Sequence, residues 1–148
     1  MDIQHRFMRQ ALIEAHKAYR LGEAPVGAVI VRGGKIIARG HNMRELLRSP
    51  FAHAEALAVR RAARRAGRWN LHGCAIYVTL EPCLMCFGAI VMANIKEVYF
   101  GAYDDKRGCI SSEYNCRVPD TVSVSGGILA DESSRLLKRF FRRLRDKK

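Results

Sequence analysis

From Ile3 to Leu21 the apolar residues Phe7, Met8, Ala11, Leu12, Ala15 and Tyr19 recur at helical spacing, with Arg6, Arg9, Gln10 and Lys17 largely between them. This spacing predicts one amphipathic helix, which Gly22 can end. The pattern then changes. Pro25 opens the run Val26-Gly27-Ala28-Val29-Ile30-Val31, Gly33-Gly34 interrupts it, and Lys35-Ile36-Ile37-Ala38 follows, a hairpin signal. From His53 to Gly67 the helical period returns: Ala56, Val59, Ala62, Ala63 and Ala66 form one stripe, opposite Arg60, Arg61, Arg64, Arg65 and Arg68. Those arginines fit a solvated face or a nucleic-acid footprint equally well.

Cys74-Ala75-Ile76-Tyr77-Val78-Thr79 is apolar without alternation, as expected of a strand buried on both faces. A short apolar helix over 83–94 follows, then a strand from Glu97 to Gly101. Tyr103 to Pro119 shows no period. Thr121 to Ser125 is a short strand candidate, and Gly126-Gly127 precedes a last helix from Leu129 to Arg145. Helices alternating with strands after a hairpin predict an α/β domain of three layers, α/β/α, around a mixed five-stranded sheet. No repeat or linker divides residues 1–148, so one domain is expected.

Charge adds a partner class. Lys and Arg number 26 against 14 Asp and Glu, a formal net charge of +12, which points to an anionic partner, nucleic acid ahead of membrane. The longest apolar run, Leu84 to Ala93, falls far short of the ~20 residues that span a bilayer. Five cysteines, Cys74, Cys83, Cys86, Cys109 and Cys116, make an odd count, and no charged-then-apolar leader precedes them. A reducing cytoplasm without disulfides is expected. Cys74 lies within a strand and reads as core, while Cys109 and Cys116 receive no role.

The candidate chemistry centres on Leu80-Glu81-Pro82-Cys83-Leu84-Met85-Cys86-Phe87-Gly88. Two thiols three apart at the start of a helix can close on one metal, but they also fit a redox pair. Ala52-His53-Ala54-Glu55 tips the balance, since a redox motif needs neither imidazole nor carboxylate. A catalytic zinc takes three protein ligands and leaves a fourth position open, and His53, Cys83 and Cys86 make that count. Glu55 is then left as a proton shuttle. One difficulty attaches to this reading: on a regular helix residues i and i+2 point about 200° apart, so helical period alone does not bring His53 and Glu55 to one metal. His5, His16, His41 and His72 stand outside any motif.

The order H-x-E then P-C-x-x-C, with Ala52 to Glu55 and Thr79 to Ala89 around it, resembles the tRNA-specific adenosine deaminases, a branch of the zinc-dependent deaminases. The likeness extends through Ala24-Pro25-Val26-Gly27-Ala28-Val29, Gly40-His41-Asn42, Phe100-Gly101-Ala102-Tyr103-Asp104, Gly127 to Glu132 and Phe140-Phe141-Arg142-Arg143. It implies a cytidine deaminase-like fold, a homodimer, and one zinc ion per chain held by His53, Cys83 and Cys86. It implies as well hydrolytic conversion of adenosine to inosine at the wobble position of a tRNA anticodon loop, with Glu55 moving the protons. By the same resemblance Val26 and Asn42 line the base pocket, Asp104 lies near the target nucleotide, and Phe141 and Arg142 belong to an RNA-contacting helix. One of Phe140 and Phe141 is expected in the core.

Two stretches depart from the family pattern: Ser49-Pro50-Phe51 replaces its Asp-Pro-Thr, and Met43 to Arg48 does not follow it. They leave the zinc motif intact and bear on substrate choice. Single-stranded DNA and free bases or nucleosides such as cytosine or guanine are therefore alternative substrates. The basic charge argues against a small neutral base. A zinc-stabilised RNA-binding module without catalysis, and a subunit of a larger editing complex, are the readings from other classes.

Overall fold

A computed structural model describes residues 2–147; Met1, and Lys148 at the end of the basic tail, lie outside the described residues. The elements in order are α1 Ile3–Arg20, β1 Gly27–Arg32, β2 Lys35–His41, α2 Ala54–Ala66, β3 Cys74–Leu80, α3 Leu84–Met92, β4 Glu97–Ala102, β5 Ser123–Ser125 and α4 Ala130–Asp146. The five strands form one sheet in the order β2-β1-β3-β4-β5. β1 pairs antiparallel with both β2 and β3, whereas β3–β4 and β4–β5 are parallel, so the sheet is mixed as expected. The hairpin turns on Gly33 and Gly34, with φ of +57° and +76°, a conformation that glycine adopts without strain.

Helices cover both faces. Ala28, Ile30, Ile76, Val78, Val98 and Phe100 point to one side and pack with Ala54, Ala58 and Ala62 of α2 and Ile90 of α3. Val29, Val31 and Tyr77 point to the other and meet Phe7, Met8 and Ala11 of α1. α4 packs against β3 and β4. Central strands buried on both faces explain why the sequence shows apolar runs instead of alternation.

α2 is turned partway from its expected orientation. Its buried residues are Ala54, Glu55, Ala58 and Ala62; of the expected stripe Ala62 is buried, Val59 and Ala66 pack half-buried against the core, and Ala56 and Ala63 are half-buried at its edge. Close packing sets this rotation. A Cβ at Gly40 would run into the Ala54 carbonyl and the Ala58 amide, so α2 lies directly on β2 along its smallest residues and turns Glu55 inward. On the outer face, Arg61 donates to the Arg39 carbonyl at 2.8 Å and Arg65 approaches the Ile37 carbonyl at 3.5 Å, both on the free edge of β2. β5 is three residues long, shorter than Thr121 to Ser125.

Candidate metal centre and adjoining cleft

His53 and Cys83 stand just ahead of α2 and α3, in extended conformations with φ, ψ of −80°, 155° and −73°, 172°. This resolves the spacing difficulty. His53 is the cap and not a helical residue, so its side chain does not obey the helical period, and Glu55 in the first turn can face the same point. His53 Nδ1 lies 3.6 Å from Cys83 Sγ and 3.5 Å from Cys86 Sγ. The three ligand atoms all fall within 4.8 Å of one another. One imidazole and two sulfur donors at two helix starts, three ligands in all, match a catalytic zinc site in type and number.

Electrostatics suit the same chemistry. The hydrogen bond from Cys86 and then the His53 ring hold the Cys83 thiol down to about 4, a thiolate at neutral pH. Cys86 is pushed up by the bond it gives to Cys83 and by its burial. His53 is raised, mainly by its hydrogen bond with Cys83. Glu55 is 4 % exposed, and burial pushes its carboxyl up to about 7.

Next to this corner lies a cleft of about 1080 Å³. Val26, Asn42, Asp104, Phe141 and Arg142 all line it, so the structure brings the remaining candidate residues to one cleft. His53, Glu55, Cys83 and Cys86 are not part of that lining. Backbone joins the two regions, with the amide of Met43 donating to the Ala52 carbonyl at 3.0 Å, which ties Asn42's neighbour to the residue before His53. Asn42 lines the cleft, and its Oδ1, buried beneath the surface, has no hydrogen-bond partner among the described residues. Asp104 is less free: its Oδ1 accepts from the amides of Lys106 and Arg107 at 3.2 and 3.1 Å and caps their turn. Neither Phe140 nor Phe141 enters the core as expected: Phe141 is exposed, and Phe140 is half-buried, edge-on to Tyr19 at 6.3 Å. Arg44, Lys106, Arg107, Lys138 and Arg145 add positive charge to the lining.

Sequence reasoning missed two residues. Glu23 is buried and accepts from the amides of Glu45 and Leu46 at 3.1 and 2.7 Å, fixing the divergent segment 43–48 at the cleft mouth. Glu81, the residue before Pro82 and Cys83, is equally buried and faces segment 104–111. For Glu81 the available signal was an acidic residue just after an apolar strand; Glu23, between α1 and β1, had none.

Residues 1–102 match the cytidine and deoxycytidylate deaminase zinc-binding region. The chain belongs to that zinc-dependent deaminase family. It is 45% identical over 146 residues to the tRNA-specific adenosine deaminase of Bacillus subtilis, covering 96% of this chain and 91% of that protein. Against the Aquifex aeolicus tRNA-specific adenosine deaminase it is 43% identical, with 95% of each covered. Among solved structures, one from work on A-to-I editing by tRNA:A34 deaminases at the wobble position of transfer RNA superposes with a TM-score of 0.84 at 39% identity, covering 89% of this chain and 99% of that one. The Bacillus subtilis guanine deaminase is also similar, with a TM-score of 0.64 at 40% identity over 66% of this chain and 63% of that one. Among the described residues no helix is long and apolar enough to cross a membrane.

Proposed function

We propose that the chain is a zinc-dependent hydrolase that converts adenosine to inosine at the wobble position of a tRNA anticodon, as a single domain over residues 1–148 with one zinc ion per chain. The observation that carries this reading is the conjunction of the His53, Cys83, Cys86 and Glu55 corner with an unpartnered Asn42 oxygen in the wall of a basic cleft. Similarity to tRNA-specific adenosine deaminases supports the choice of base and of RNA.

His53, Cys83 and Cys86 are the ligands. Zinc, when bound, supplies Lewis acidity and a water nucleophile at neutral pH. Glu55 would take one proton from the attacking water and give it to ring nitrogen N1, then carry a second, from the hydroxyl formed at C6, to the amine that leaves as ammonia. A carboxyl pushed up to about 7 suits a group that must both accept and give a proton near neutrality. Asn42 Oδ1 accepts a hydrogen bond from the base, and Val26 packs beside it. Phe141 and Arg142, exposed on α4 at the cleft, offer a stacking face and a phosphate contact to a splayed single-stranded loop, and Asp104 shapes the cleft floor. Exposed Leu84, Met85 and Met92 leave an apolar strip on α3, which supports a homodimer. The tRNA substrate and five free cysteines favour the cytoplasm.

The test is inosine formation by zinc-loaded protein on an anticodon stem-loop carrying A at the wobble position, beside Glu55→Ala. Inosine from the parent protein alone is expected. None from either, with zinc bound, overturns the reading and directs the search to single-stranded DNA or free guanine. Arg142→Ala should weaken stem-loop binding and reduce the slope of log affinity against log salt by about 1, measured by titration at several salt concentrations.

A further inference from the structure

Parallel neighbours β4 and β5 are joined by residues 103–122 without a helix. Parallel pairs are ordinarily bridged by a crossover helix, and an irregular connection of more than about 15 residues is uncommon unless it has work to do. Segment 104–111 of this connection carries Asp104, Asp105, Lys106 and Arg107 into the cleft wall. One side chain anchors both ends of this segment. Glu81 Oε1 accepts from the Asp104 amide at 3.0 Å and from the Ser111 hydroxyl, and Oε2 accepts from the Ile110 and Ser111 amides at 2.8 and 2.9 Å. An ionised carboxylate has about four acceptor sites, and here all four are filled from one segment. Gly108 lies against the same carboxylate so closely that a Cβ would meet its Cδ. The next residues complete the junction, as the Cys109 amide donates to the Pro82 carbonyl at 2.9 Å and Gly108 bridges to Cys83.

We infer that Glu81 is a positioning residue for nucleic-acid recognition: it fixes segment 104–111 as the cleft wall against the strand end that leads to Cys83. The role is specific to a carboxylate. Glutamine at this position would turn its NH2 either toward the Ile110 and Ser111 amides or toward the Asp104 amide, which all donate, so at least one of the four bonds fails while size and burial stay the same. Glu81 neither reaches the metal ligands with its carboxyl nor lines the cleft itself; it acts through Asp104, Lys106 and Arg107. What is recognised, an anticodon loop, rests on the function proposed above, whereas the clamp itself does not.

Glu81→Gln, zinc-loaded, is compared with the parent protein on the stem-loop, with hydrogen exchange over 103–112 read by mass spectrometry. KM should rise roughly tenfold with kcat within about twofold and zinc content unchanged, and exchange over 103–112 should quicken while α1 and β1 keep their protection. Ser111→Ala, which removes only the hydroxyl donor, should move KM and exchange in the same direction by less, and it serves if the glutamine variant fails to fold. Unchanged KM and exchange in a folded variant would overturn the assignment. Loss of zinc in step with activity would also overturn it, by making Glu81 part of the metal site's support. If the parent protein forms no inosine, the functional reading fails, and exchange still decides the clamp.

Discussion

The regions around Glu55 and Glu81 hold the same side chain at nearly the same surface exposure, 4 % and 2 %, with opposite consequences. At Glu81, burial would raise the carboxyl, but hydrogen bonds from Ser111, Asp104 and Ile110 outweigh it and hold the group below its ordinary range. At Glu55, burial prevails and the group is pushed up to about 7. Glu55 lies deeper in the protein and Glu81 has more donors, and the two together separate a carboxylate that is fixed and charged from one that can take and release a proton.

The sharpest way to break this comparison is Glu55→Gln. Turnover should fall by roughly 10²- to 10⁴-fold, measured as inosine formation, because a positioned acid–base group is removed. Zinc content and Tm should hold, since few bonds depend on that side chain. A fall in Tm as large as that of Glu81→Gln would erase the distinction.

Gly108→Ala acts on the other side. The new methyl meets the Glu81 carboxyl and must displace it or the loop, with an expected loss of about 1–3 kcal/mol by denaturant unfolding. Zinc should remain bound, because the new methyl meets the Glu81 carboxyl and the Asp104 carbonyl, whereas the bridge from Gly108 to Cys83 is made by backbone. Unchanged stability would show that the loop yields freely and that the clamp is loose.

Glu14 is the intermediate case and gives the smallest effect. It is buried on α1, and burial, which would raise its carboxyl, is outweighed by hydrogen bonds from Lys17 and His41, leaving it below its ordinary range. A depressed folded-state value stabilises above the unfolded-state value of 4.5, and that contribution disappears as pH falls through the folded-state value. Glu14→Gln should therefore cost about 1–2 kcal/mol at pH 7, with the gap from the parent protein closing in acid, as followed by thermal unfolding at several pH values.

The strands and helices were legible because burial on both sheet faces writes itself as apolar runs, as in Val26 to Val31 and Cys74 to Thr79. The metal trio was legible because its spacing is local within each half. How His53 and Glu55 come to face one point was not, since it depends on His53 being a cap and on Gly40 seating α2 turned partway from the apparent stripe. Segment 103–122 was opaque for a different reason. Its shape follows from bonds to Glu81, more than twenty residues upstream of most of its partners, and such bonds leave no period in the sequence. The five arginines from Arg60 to Arg68 were open between two readings, and the structure gives Arg61 and Arg65 a third.

That third reading bears on how the molecule behaves in a crowded solution. A sheet whose outermost strand offers free carbonyls invites a strand from another molecule to join it. On β2 the carbonyls of Ile37 and Arg39 already face guanidinium groups, and an incoming strand would have to displace a cation at each. Strand addition is thereby opposed along β2, and the edge at the other side of the sheet is β5, only three residues long.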